Sequence, residues 1–178
     1  MFCNTSQAFV VELEWYISGD IWMPDALLLT KVSLPILRHI LVPRKKVLRQ
    51  LSGGVQDGHL LTLVSAPAGY GKTTTIRMWV EEAGYPVAWV TLENSDNDLK
   101  QFLTYVLTAL QQAGDHLGQA ALEVVENARE INLRRILGLL IKDLYDLDQP
   151  LVLVLEEYHL IENERIDQVI ELSVTKIS

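Results

Sequence analysis

Alternating strand and helix patterns along 178 residues predict a three-layer α/β fold built on a parallel sheet. Three observations carry that expectation. Short unbroken apolar runs at Leu60–Val64, Pro86–Leu92 and Leu151–Leu155 have the composition of strands covered on both faces. Each run is followed by a stretch whose apolar residues recur at helical spacing. The first run also passes directly into a glycine-rich turn and then Lys72-Thr73-Thr74-Thr75, the order of strand, anion-binding loop and helix.

Bulk composition narrows the reading. With 49% apolar and 21% charged residues the chain is globular, and its length suits one α/β domain. Twenty-three acidic residues against 15 basic ones give a net charge of −8, so direct binding to nucleic acid is disfavoured. Cys3 is the only cysteine, which excludes an intrachain disulfide and a cysteine-rich zinc site. The apolar run Ala8 to Ile17 is interrupted by Glu12 and Glu14 and has no basic cluster before it. It therefore reads as neither signal peptide nor membrane span, and a cytoplasmic location is the default.

Taken in order, residues 1–23 form a poorly defined aromatic and acidic extension containing Trp15, Tyr16 and Trp22, a short strand pair or an unpacked tail. A functional start at Met23 is expected, with residues 24–178 as the domain proper. From Pro24 to Pro43 runs an extended arm whose prolines discourage a continuous helix and whose leucines need a surface to cover. Arg44 to Leu51 is a short amphipathic helix, its basic residues on a solvated face, ended by Gly53-Gly54. After the loop, a helix from Lys72 to about Ala83 presents Ile76, Trp79 and Val80 to the sheet, and Gly84 stops it. Ser95-Asp96-Asn97-Asp98 starts the next helix, whose stripe from Leu99 to Leu110 is core. Further helices are expected over Leu117–Ala128, Leu133–Leu147 and Ile166 to the last residue.

The chemistry concentrates around the loop. Gly69 and Gly71 admit backbone angles closed to other residues, so successive N–H groups can turn inward around phosphate oxygens. The following helix adds its unsatisfied N–H groups and the positive end of its dipole. Lys72 brings a positive charge to the same oxygens and Thr73 a hydroxyl for Mg²⁺. Ala66 stands where the strict pattern has its first glycine, a mild departure that leaves the cradle intact. The run Leu151–Leu155 ends in Glu156-Glu157-Tyr158-His159, which supplies the hard oxygen ligand and the water-orienting carboxylate that such a site needs. His159 itself is expected to be structural.

With these stretches in hand, the chain resembles the ATPase domain of the MalT-like regulators, LuxR-type transcriptional activators within the signal-transducing (STAND) P-loop NTPases. The resemblance rests on Leu34-Pro35 through Leu41-Val42-Pro43-Arg44, on Ser65 through Thr74, on Trp89–Leu92 with Asp96-Asn97, and on Glu156 through Ile161. It implies an ATP/ADP-binding switch in which ADP holds the inactive form and inducer with ATP favours an active oligomer. Gly69, Tyr70, Gly71, Lys72, Thr73 and Thr74 would contact the nucleotide, and Leu41, Val42 and Arg44 would lie against the adenine. Thr73 and Glu156 would hold Mg²⁺, with Lys72 and Glu157 as the catalytic pair.

Two departures matter. The family usually has Asp at the position of Glu156, and the extra methylene implies weaker metal positioning and slow or absent hydrolysis. The chain also stops where the family continues with a further strand, a winged-helix domain, helical repeats and a DNA-binding helix-turn-helix. The resemblance thus implies an apparently truncated nucleotide-binding module without direct DNA contact or membrane association; a stand-alone NTPase or phosphotransferase and a decayed fragment are the alternatives.

Overall fold

The computed structural model describes residues 8–13, 30–36 and 42–177. Among these, strands β1 (Ala8–Leu13), β2 (Leu61–Val64), β3 (Val87–Thr91) and β4 (Leu151–Glu156) form one sheet in the order β2-β1-β4-β3. Every neighbouring pair is parallel. The helices are α1 (Lys45–Gln56), α2 (Lys72–Ala83), α3 (Leu99–Ala113), α4 (Gln119–Asn127), α5 (Leu133–Tyr145) and α6 (Glu164–Ile177). None of the described helices is long and apolar enough to cross a membrane.

Side-chain alternation along the strands splits the core in two. Trp89, Val152 and Val154 point to one face and pack with Leu48, Leu51 and Val55 of α1 and Ile76, Trp79 and Val80 of α2. Ala88, Val90, Leu151 and Leu155 point to the other and meet α3, α4, α5 and α6 in a larger cluster. Helices on both faces of a parallel sheet are the three-layer arrangement expected from the apolar runs. The Trp79 indole N–H donates to Ser52 Oγ at 3.0 Å, so the one aromatic side chain of α2 has its polar atom satisfied although it is buried.

Register positions the site. Leu13 aligns with Val64 on one side and Glu156 on the other, and Glu156 aligns with Thr91. The carboxyl ends of all four strands therefore lie in one row, where ligands of open parallel sheets bind.

The structure differs from the sequence expectation at several elements. The stretch set aside as an extension supplies β1, which lies between β2 and β4 and pairs with both. Its parallel partners are distant in sequence, so local pattern alone does not reveal the pairing. Trp15, Tyr16 and Trp22 lie outside the described residues. Gly53 and Gly54 do not end α1, which continues to Gln56. Leu51 and Val55 are four residues apart and both buried, and that shared apolar face carries the helix through the glycines. Strand β2 is at the sheet edge, and Leu61 and Leu63 are 47% and 61% exposed rather than covered on both faces. Of the arm, Val32 is buried in the larger cluster, whereas Leu27, Leu28, Leu29 and Leu41 lie outside the described residues.

Candidate functional site

Between β2 and α2 the backbone turns through Gly69 and Gly71, at φ +80° and +71°. Both are in the left-handed region that a side chain disfavours. A Cβ built on either glycine meets no atom within 4 Å, so the turn borders open space that a methyl group would begin to fill. Gly71 is also the N-cap of α2, and it offers no side chain to the first N–H groups of that helix, which carries no acidic residue in its first turn. The helix is anchored from behind, because the Thr75 hydroxyl and N–H both donate to the Gly71 carbonyl, at 2.8 and 2.9 Å. Lys72 is buried, and its ammonium donates to the Ala66 carbonyl across the base of the loop. The loop therefore gathers a lysine charge, a helix dipole and a glycine turn open to its surroundings, the features that favour an anion.

Across the row of strand ends stands Glu156, only 7% exposed. Its Oε1 accepts the Thr73 hydroxyl proton, and its Oε2 accepts the Trp89 indole N–H and the Thr91 hydroxyl, each at 3.1 Å. The two residues expected to share a metal are thus brought into contact from elements 83 positions apart. A hydroxyl that donates one proton keeps two lone pairs, so Thr73 can hold Glu156 and still offer an oxygen to a cation. One carboxylate and one hydroxyl beside a phosphate cradle is a donor set that fits Mg²⁺, which binds through few protein ligands and completes its shell with phosphates and water.

Glu157 follows with φ +64°, a left-handed backbone uncommon for a residue with a side chain. It is 7% exposed, and its Oε2 lies 3.7 Å from His159 Nδ1. His159 is therefore a neighbour of the second carboxylate. Tyr70 is 56% exposed and Thr74 is half-buried. A cavity of about 360 Å³ extends from the loop along α1, lined among others by Arg44, Gln50, His59, Ala66, Tyr70 and Lys72. Arg44 thus shares a cavity with the loop, whereas Val42 is 87% exposed and is not part of its lining. Leu41, the third residue of that group, lies outside the described residues.

Sequence reading missed a polar network beside the site. Lys31 is 4% exposed and donates to both oxygens of Asp96, at 2.8 and 2.6 Å, with Asp96 fully buried. The same ammonium lies 3.3 Å from Glu93 and 5.2 Å from the centre of the Tyr105 ring. Asn97 continues the link, donating to the Leu160 carbonyl at 2.9 Å and accepting the Glu162 N–H at 2.6 Å. The segments after β3 and β4, and the arm through Lys31, are therefore tied together at the strand ends. The polar run from Ser95 to Asp98 signals a helix start, and Asp98 does cap α3 by accepting the Gln101 N–H at 2.9 Å. The distant partners of Asp96 and Asn97, Lys31 and the segment from Leu160 to Asn163, carry no local signal.

A family model described as an AAA domain matches residues 55–176. Among curated proteins, the HTH-type transcriptional regulator MalT of Klebsiella pneumoniae (strain 342) is 34% identical over 134 residues, which is 75% of this chain and 14% of that protein. The protein of the same name from Yersinia pseudotuberculosis (serotype O:3, strain YPIII) is 35% identical over 140 residues, 78% of this chain and 15% of that protein. The chain thus spans about one seventh of the length of these relatives.

Proposed function

Because the chain belongs to the AAA domain family, whose members bind nucleotide, we propose that it is an ATP/ADP-binding module of a MalT-like transcriptional regulator, working with Mg²⁺ as a switch in the cytoplasm. The observation that carries this reading is the contact between Thr73 and Glu156, which joins the glycine loop to the acidic strand end at the carboxyl edge of the sheet. In it, Gly69, Gly71, Lys72, Thr73 and Thr74 hold the phosphates, and Thr73 with Glu156 holds the metal. Arg44 reaches the rest of the nucleotide through the cavity along α1. When bound, Mg²⁺ supplies charge neutralisation at the phosphate oxygens. Glu157 orients water; its left-handed backbone is the kind of local strain that gathers at reactive positions. Turnover is slow at most, since glutamate stands where the MalT-like pattern has aspartate.

The relatives' name assigns them a helix-turn-helix and a role in transcription. With a net charge of −8, this segment contributes the nucleotide response rather than the DNA contact. An inducer and a homo-oligomer belong to the same reading of the whole regulator.

The test is a titration of the protein with labelled ATP and ADP in Mg²⁺, with Lys72→Ala in parallel. Saturable binding is expected, lost in the variant while its circular dichroism is unchanged. A folded wild-type chain that binds neither nucleotide overturns the proposal.

A further inference from the structure

We propose that Trp89 and Thr91 are positioning residues that clamp Glu156 by one oxygen and leave the other to face the metal. The inference rests on the reading of the site as a Mg²⁺-nucleotide site and adds to it how its metal-facing carboxylate is held.

A glutamate has one more rotatable bond than an aspartate, and a ligand that rotates is a poor one unless something fixes it. Here the fixing groups come from β3. Trp89 and Thr91 are two residues apart on that strand, and Thr91 aligns with Glu156 in the parallel register. Trp89 is 1% exposed, its ring packed in the cluster between the sheet and α1 and α2, so its indole N–H has a fixed origin. That N–H and the Thr91 hydroxyl both end on Oε2, at 3.1 Å each. The Leu92 N–H donates to the Glu156 carbonyl at 2.9 Å, which fixes the backbone of the glutamate to the same strand. Among the described residues, Oε1 receives only the Thr73 hydroxyl.

The two oxygens are therefore not equivalent. Oε2 accepts two protons from groups rooted in the sheet, and charge-assisted bonds of this kind are the stronger sort. Oε1 is aimed at Thr73, in the first turn of the phosphate-binding helix. The added length of glutamate is used to span from β4 to both β3 and α2. Loss of the Trp89 N–H should release the carboxylate, and the cost should fall on the metal rather than on the nucleotide.

The experiment measures ATP binding by the full chain in EDTA and across a Mg²⁺ titration, for wild type, Trp89→Phe and Thr91→Val. Outer-shell partners of metal ligands are commonly worth tenfold or more in metal affinity, so Trp89→Phe is expected to raise the half-saturating Mg²⁺ concentration by about tenfold. Affinity in EDTA should be unchanged. An unaltered Mg²⁺ dependence in both variants, or an equal loss with and without metal, would overturn the proposal and leave Trp89 a packing residue. A second readout does not need nucleotide. The indole N–H resonance of Trp89, identified by its absence in Trp89→Phe, should move upfield in Glu156→Gln as the charged acceptor is removed. If the wild type binds no ATP, the nucleotide reading fails; a displaced indole signal then still supports the clamp, and an unmoved one overturns it.

Discussion

Lys31 and Asp96 illustrate how much a single buried pair can decide. Both charges are out of water, at 4% and 0% exposure, and each replaces its lost hydration with close contacts. Lys31→Met would leave the Asp96 carboxylate with the Glu93 N–H, the Ser95 hydroxyl and the Gln101 amide, but no cation in contact. Breaking a buried pair from one side costs about 3–5 kcal/mol, and the remaining donors place this case near the lower end. Urea unfolding of Lys31→Met should show that loss; a midpoint equal to wild type would mean the pair contributes nothing. At this scale the sequence was partly readable. Gly69, Gly71, Lys72, Thr73 and Glu156 could be singled out as candidates by type and spacing along the chain, and the structure does bring Thr73 against Glu156. Lys31 could not be, because a cation in an apolar arm looks solvated until a carboxylate 65 positions away is seen against it.

Helix beginnings separate stability from function among the elements. Helices α3 and α5 are capped by Asp98 and Asn132, each accepting an N–H from three residues on. Helix α2 has no such side chain, and its N-cap Gly71 is left-handed at φ +71°. A capping residue would stabilise α2 but would also occupy the N–H groups proposed to meet phosphate. Gly71→Ala separates the two effects. No neighbour lies within 4 Å of the new methyl group, so the folding cost is conformational, about 1–2 kcal/mol for forcing a side chain into that backbone region. Thermal unfolding should register only this modest loss while ATP binding disappears. Retained binding at wild-type affinity would show that the loop does not wrap the phosphates as proposed. Most elements were legible from periodicity, including α2 with its stop at Gly84, and α3. Among the helices, α1 shows where this fails: Gly53 and Gly54 signal an end locally, yet burial of Leu51 and Val55 against α2 outweighs the local preference.

At the scale of the molecule, the decisive feature is that β1 stands between the two halves of the site. Strand β2 leads into the phosphate loop and β4 ends in Glu156, and in the order β2-β1-β4-β3 the two are not hydrogen-bonded neighbours but each pairs with β1. Its register pairs four residues with β2 and six with β4. This arrangement could not be read from the chain, because Ala8–Leu13 sits far in sequence from both partners and its flanks resemble no part of the rest. Removing residues 1–22 would strip the inner edges of β2 and β4 of their ladder partners, leaving buried N–H and C=O groups to find others or to admit water. The spacing that sets Thr73 against Glu156 would also lose its only intervening strand. A chain begun at Met23 is therefore expected to lose its cooperative thermal transition and its binding of ATP. If that shorter chain instead unfolds at the same temperature and binds ATP as tightly, β1 is dispensable, and β2 must pair with another strand in solution. Circular dichroism melting and the ATP titration, run on both chains, distinguish a sheet organised around its N-terminal strand from one that merely accommodates it.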